Sequence, residues 1–315
     1  MTENSLTRAL TRHWMRFPSG AIMISDRLPE LMLLMVAAAW GGSYAIAKQI
    51  TLQVAVLDFL VLRFGLTTIL LLPSLRLVFT REWRKTLVVG GLLGSTLFAI
   101  FLCETFGVSL TTATNAAFLI SLCLVFTPIA EWIFLGVKPA PRVMLAAAAC
   151  IMGAVLMIPG SLTHPFDNTG DWLILGAAVL RALMITITKR LTGWHRIPAL
   201  ALTAMQSAVV CLGSLYALYA VNGTLDLNIP DDMAFWGRLG FLVFFCTIFA
   251  FFAQNYAAAR ISPSRVAFLM GSEPVFGAIF AALLMGETLT GSGWVGALLI
   301  IIATTFMLQD NRVNR

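Results

Sequence analysis

Charge is scarce in this sequence. Asp, Glu, Lys and Arg make up 11% of its 315 residues, against about 25% in a soluble domain. A water-facing surface of ordinary extent cannot be built from so few. Histidine is scarcer still. His13, His164 and His195 all fall in the tail or in loops, which excludes a histidine proton relay at depth and leaves no His-Glu-x-x-His pattern. The five cysteines (Cys103, Cys123, Cys150, Cys211 and Cys246) lie inside apolar spans and show neither metal-ligand spacing nor a disulfide framework. No metal and no other cofactor is expected. The segments between spans have no room for a soluble domain, and no short apolar core with a small-residue cleavage site opens the chain, so a cleaved signal peptide is not expected. What is left, 59% hydrophobic residues, is the composition of an all-α integral membrane protein. The formal charge of +6 does not point to nucleic acid, because the basic residues sit in short loops beside apolar spans.

One stretch organises the rest. Ser264–Gly286 is long enough to cross a bilayer core of about 30 Å, yet it carries Glu273 and Pro274 near its middle. A carboxylate at that depth must face a partner or a cavity. Proline removes a backbone donor, so the helix is expected to break where protein or water can satisfy it. Shifted back by 150 positions, the stretch falls without a gap on Thr114–Gly136, with Ala117-Phe118-Leu119 against Ala267-Phe268-Leu269 and Pro128 about one turn out of register with Pro274. The chain therefore reads as two halves built around these segments.

Ten spans are expected near 30–49, 54–75, 84–108, 114–136, 142–159, 170–190, 197–221, 236–259, 264–286 and 291–309. With the N-terminus inside, seventeen of the 21 basic residues lie in the tails and inward loops, while the outward loops carry Asp167, Asp226, Asp231 and Asp232. That asymmetry places both termini in the cytoplasm. Five spans per half make the halves cross in opposite senses, giving ten transmembrane helices as two inverted five-helix repeats. Residues 1–29 form a basic tail with Leu6, Leu10, Trp14 and Phe17 at helical spacing, which suits either a helix lying on the membrane surface up to Pro18 or a disordered tail. The repeats occupy 30–160 and 161–309, and residues 310–315 form a second cytoplasmic tail.

Several pieces recur in a known order. They are Ala39-Trp40-Gly41-Gly42-Ser43 with Lys48, Leu62-Arg63-Phe64, and Thr112–Leu119 running into Pro128. The second half has Ser262–Leu269, Glu273-Pro274 and Gly286-Glu287. Over about residues 30–309 the chain resembles the EamA type of the drug/metabolite transporter superfamily. It departs at Gly136-Val137, where Gly-Glu is usual, and it lacks the Asn-Tyr-Leu-Trp-Pro run of the aromatic amino-acid exporters. The resemblance implies a transporter of small metabolites in a bacterial-type inner membrane, not an enzyme.

Trp40, Arg63, Arg181 and Glu273 all lie about ten residues into their spans, so at about 1.5 Å per residue they share one depth near mid-membrane. Two arginines and a carboxylate there are too costly to face lipid. Arg63 and Arg181 are expected to receive a solute carboxylate, Glu273 an amine or a proton, and Trp40 and Tyr44 to form a cation–π wall. The competing reading is a structural ion pair between Glu273 and one arginine. Asn115 and Phe118, with Phe268 opposite, line the starts of spans four and nine; Asn115 either bonds solute or caps its helix, with capping favoured. Glu104 and Gln254, related by the 150-residue shift, are gate candidates beside Pro128 and Pro274, though polar residues near an interface read the same way. Glu131 reads as a surface pair with Lys138, Asp58 as the same at the other boundary, and Gly90 with Gly94 as a helix-packing face.

The expected function is secondary transport of a small polar metabolite. The favoured form is export of an amino acid or related zwitterion or organic anion by alternating access, with proton coupling at Glu273. An uncoupled facilitator on the same scaffold, and more remotely an intramembrane enzyme, are the alternatives. The partners are the solute and the lipid bilayer; a monomer and a homodimer both remain open.

Overall fold

Runs of Leu, Ala, Val and Phe without breakers favour helix, and in an apolar medium helix is what lets a lone segment satisfy its own backbone. The computed structural model describes residues 19–78, 83–157, 168–194, 197–285 and 290–309, and every regular element among them is helical. In chain order these are α1 (Ser19–Gly41), α2 (Ser43–Thr51), α3 (Val56–Leu71), α4 (Trp83–Leu110), α5 (Ala113–Ser121), α6 (Cys123–Leu135) and α7 (Pro141–Met157). They continue as α8 (Thr169–Trp194), α9 (Ala199–Asn222), α10 (Met233–Val243), α11 (Ala250–Ala258), α12 (Pro263–Met270), α13 (Glu273–Met285) and α14 (Gly291–Gln309). A 3-10 turn, Leu72–Val78, follows α3, and a π-helical stretch, Phe244–Phe249, joins α10 to α11. The tail pattern through Phe17 and the Gly286-Glu287 link lie outside the described residues.

Eight stretches among the described residues are long and apolar enough to cross a membrane. Pro141–Met157 is apolar but has 17 residues, and α12 with α13 forms a further apolar pair interrupted at Gly271-Ser272. Large apolar side chains such as Val88, Leu145, Leu212 and Trp294 point outward and are exposed, as befits surfaces that meet lipid. Helix begins at Ser19, eleven residues before the expected first span, and takes Pro29 inside it.

The two segments singled out by their sequence match fold alike. Thr112 caps α5 by accepting from Asn115 N, and Ser262, 150 positions later, caps α12 by accepting from Arg265 N. The helices then stop at Leu122 and at Gly271. At each break a serine hydroxyl satisfies a freed carbonyl: Ser121 donates to Phe118 O at 2.6 Å and Ser272 to Leu269 O at 2.7 Å. Pro274 lies in the first turn of α13, where a missing N–H costs nothing. The first-half break comes six residues before Pro128 and is not made by it. The broken helices pack on each other; a Cβ at Gly271 would come within 2.6 Å of Leu124 Cδ1.

Other contacts recur with an offset of 141. Lys48, near the end of α2, donates to Val108 O and Ser109 O in the last turn of α4 and to Thr111 O just past it, at 2.8–2.9 Å. Lys189, at the opposite end of the bundle, reaches Ala259 O just past α11 at 3.5 Å. Both are lysines against the negative end of a helix.

Glycines set the closest helix approaches. A Cβ at Gly41 would meet Gly277 N at 2.7 Å, and one at Gly153 would meet Gly296 O at 2.6 Å. Gly90 and Gly94 face Met205 and Val209 of α9, so this pair packs helices as its spacing predicts. Two boundary readings are corrected. Glu131 is buried and accepts from Ser264 N at 3.2 Å and from the Ser264 hydroxyl, so it holds the start of α12 and is not a surface pair with Lys138. Asp58 is also buried.

Gly153→Val should lower the thermal stability of the detergent-solubilised protein by the equivalent of about 1–3 kcal/mol, the usual cost of overpacking. Gly176→Ala, at a helix-interior position with nothing within 4 Å, should instead raise it by the equivalent of about 0.4–1 kcal/mol, the backbone-entropy gain of replacing glycine in a helix. Comparing the two melting curves checks the glycine contact directly.

Candidate functional site

Arg181 sits midway along α8, whose apolar length carries it into the bundle. Its guanidinium donates to Glu104 Oε2 on α4 at 3.0 Å and to Glu273 Oε1 on α13 at 3.5 Å, and lies over the Trp40 ring on α1 with 4.6 Å to the centroid. Arg181 and Glu273 are more than 90% buried and Glu104 is half-buried. A guanidinium so placed is held by two carboxylates and an aromatic face, the environment that buried arginine requires.

Two cavities meet at this arginine. The first, about 440 Å³ counted to its open mouth, is lined by Trp40, Tyr44, Phe59, Arg63, Phe101 and Glu104 among others. The second, about 240 Å³ on the same measure, lies at the two helix breaks and is lined by Ser121, Cys123, Met270, Gly271, Glu273 and Pro274. Arg181 borders both, Glu104 only the first and Glu273 only the second.

The π-helical stretch supports the first cavity. Trp40 Nε1 donates to Cys246 O at 3.0 Å, Arg63 Nε to Thr247 Oγ1 at 2.8 Å and Arg63 Nη2 to Cys246 O at 3.4 Å. A wider helical turn leaves backbone acceptors for such side chains. The Arg63 guanidinium also faces Phe101, 4.9 Å from its centroid. Arg63 therefore borders the cavity while tying α3 to the π turn.

Of the residues singled out from sequence, the structure gathers Trp40, Tyr44, Arg63, Arg181 and Glu273. Glu104 joins them in the centre and is not at a mouth. Gln254, its partner under the shift, is buried elsewhere, with Oε1 lacking a hydrogen-bond partner among the described residues. Phe118 and Phe268 are packed in two different apolar clusters and line neither cavity. Pro274 borders the second cavity, whereas Pro128 is buried within α6. Asn115 does not cap α5, since Thr112 does; its Nδ2 donates to Asp171 Oδ1 at 3.0 Å. The π stretch and Asp171 were missed. Nothing in FFCTIF distinguishes a π turn from ordinary helix, and Asp171 reads as a first-turn residue of an exposed end. Among the described residues, no group of three or more His, Cys, Asp or Glu is placed to hold a metal ion.

Comparison with known proteins agrees with this architecture. The chain is 25% identical over 287 residues to an uncharacterized transporter of Archaeoglobus fulgidus, covering 90% of this chain and 87% of that protein. It is 27% identical over 285 residues to the threonine/homoserine exporter RhtA of Salmonella typhimurium (88% and 90%). It is also 27% identical over 302 residues to a probable amino-acid metabolite efflux pump of the same species (92% and 98%). A solved crystal structure superposes with a TM-score of 0.72 at 14% identity, over 92% of this chain and 99% of that one, which speaks to fold alone. The EamA-like transporter family model matches twice, over residues 27–158 and 168–309. With both halves matched, the chain is a multi-pass membrane protein of the drug/metabolite transporter superfamily and belongs to the EamA-like transporter family.

Proposed function

We propose that this protein exports an amino acid or a closely related zwitterion across a bacterial-type inner membrane by alternating access. Its ten spans form two inverted halves, residues 30–160 and 161–309, with both termini cytoplasmic. The observation that carries the substrate class is the charge arrangement around Arg181. Arg63 and Arg181 stand against Glu104 and Glu273, so the cluster is balanced as built. A solute with one charge of each sign enters without unbalancing it, whereas a lone anion or cation leaves a net charge in an apolar bundle, which is expensive. The names of the relatives, an amino-acid exporter and an amino-acid metabolite efflux pump, support the same class.

The two carboxylates divide the work by position. Arg181 takes the solute carboxylate as a bidentate partner, with Arg63 adding positive potential from the opposite wall. Glu104, in the larger cavity beside Trp40 and Tyr44, then takes the ammonium. Glu273, on the far side of Arg181 and at the first turn after a helix break, is ionised in the loaded state, where it draws Arg181 off Glu104 and leaves Glu104 to the ammonium. When Glu273 takes up a proton, Arg181 returns to Glu104 and solute binding weakens. Proton and solute thus occupy the site in alternation, so proton entry from outside is exchanged for solute export. An uncoupled facilitator would use the same cavity with Glu273 left as a structural ion pair.

In liposomes, Glu273→Gln should abolish accumulation driven by a pH gradient, while solute exchange at equal pH persists with weaker binding. Full gradient-driven transport by this variant, at matched protein levels, would refute the coupling role. Glu104→Gln should weaken amino-acid binding by about 10–100-fold, the loss expected for one hydrogen bond to a charged group, and thermal-shift titration across an amino-acid panel reads it. Orientation is checked separately: a cysteine placed within residues 222–235 should react with an impermeant maleimide only from outside the cell.

A further inference from the structure

Alternating access requires the two halves to part at one end while they stay closed at the other. Contacts within a half cannot control that; contacts between halves at the two ends can. Besides the Glu131–Ser264 contact already described, two such contacts occupy equivalent positions. At one end, Asn115 at the start of α5 donates to Asp171 at the start of α8, and Thr111 Oγ1 donates to the same Asp171 oxygen at 2.6 Å. At the other end, Arg265 at the start of α12 forms an ion pair with Glu30 on α1, and its Nη2 also donates to Leu308 O at 2.8 Å.

Arg265 lies 150 positions after Asn115, the offset that relates the two helix caps and the two helix breaks. Asp171 lies 141 positions after Glu30, the offset that relates Lys48 to Lys189 in their contacts with helix ends. The same 141 relates Trp40 to Arg181, which stack on one another at the centre. Each contact joins the first half to the second. Glu30 and Lys48 mark the two ends of one helical span, 18 residues and so about 27 Å apart, which puts the two contacts on opposite sides of the Arg181 cluster.

From this we infer that Asn115–Asp171 and Glu30–Arg265 are a pair of equivalent latches, each holding the two halves together at one end, and that they release in alternation. The inference rests on the alternating-access reading. The latches differ in chemistry: one is an amide and a hydroxyl on a carboxylate, the other a full ion pair. The two ends are therefore not held alike, although both contacts are charge-assisted: the Asp171 carboxylate accepts from two neutral donors, whereas Glu30 accepts from a guanidinium. The central cluster lies between them as the point about which the halves rock.

Side-specific labelling tests this. A single reporter, Ser43→Cys on a cysteine-free background, lies on the wall of the larger cavity. Asn115→Ala should raise its alkylation by an impermeant maleimide from the outer face by about tenfold, the population shift expected on losing one hydrogen bond to a charged group, and lower it from the inner face. Arg265→Ala should do the reverse. Both variants raising labelling from the same face, or both leaving it within about twofold, would overturn the latches. Opposite effects with the faces interchanged would uphold the latches and overturn the orientation. A wild type that moves no member of an amino-acid panel in liposomes, with labelling still alternating, would instead overturn the amino-acid export reading. Because either alanine variant can fail to fold, Asn115→Cys/Asp171→Cys bridged by a short reducible bis-thiol reagent provides a second measurement. Bridging should stop outer-face labelling of the reporter and reduction should restore it; undiminished labelling of the bridged protein would overturn the outer latch.

Discussion

A guanidinium buried in an apolar bundle must be neutralised and hydrogen-bonded, and the requirements of Arg181 shape the centre of this protein. Carried on α8, it takes its contacts from three other helices: α4 brings Glu104, α13 brings Glu273 and α1 supplies the Trp40 face. Each supplier is itself held. Trp40 is fixed by the carbonyl of Cys246 in the π turn, and Glu273 by the break that starts a new helix beside it. Gly41 lets α1 approach the backbone at Glu273 and Gly277 closely enough for Trp40 to arrive at the right depth. Removing the arginine would leave two carboxylates without their partner, so these helices are interdependent in a way that simple apolar packing is not.

Around this centre the halves repeat each other at two offsets, 150 for the third, fourth, eighth and ninth expected spans and 141 for the first and sixth. The repetition lies in backbone geometry and capping more than in side chains. Where chemistry is concerned the halves have diverged: Glu104 answers to Gln254, Cys123 to Glu273, Asn115 to Arg265 and Trp40 to Arg181. A strictly symmetric site would place like beside like. Divergence at these four positions is what allows an arginine to stack on an indole and to be flanked by two carboxylates on different helices. It also leaves the two ends of the bundle with contacts of different chemistry, an amide and a hydroxyl on a carboxylate at one end and an ion pair at the other.

Much of the fold was legible before any coordinates. Low charge, long apolar runs and the ungapped match of residues 114–136 to 264–286 determined an all-helical membrane protein with repeated, interrupted segments, because hydrophobic length and backbone satisfaction in an apolar medium leave few other solutions. Depth counting put Trp40, Arg63, Arg181 and Glu273 near one level, since helical rise is nearly constant, and the structure brings the four together around Arg181 and the larger cavity. What only the tertiary structure decided is azimuth: which way each side chain faces around its helix and which helix lies opposite. Glu104 turned inward to Arg181 and Gln254 did not. Phe118 and Phe268 went to separate apolar clusters, Glu131 went to the start of α12, and Asn115 reached Asp171 instead of capping its own helix. Helices apolar on every side carry no moment to fix their rotation, so their facing is set by close packing at glycines and by the few polar groups that must find one another.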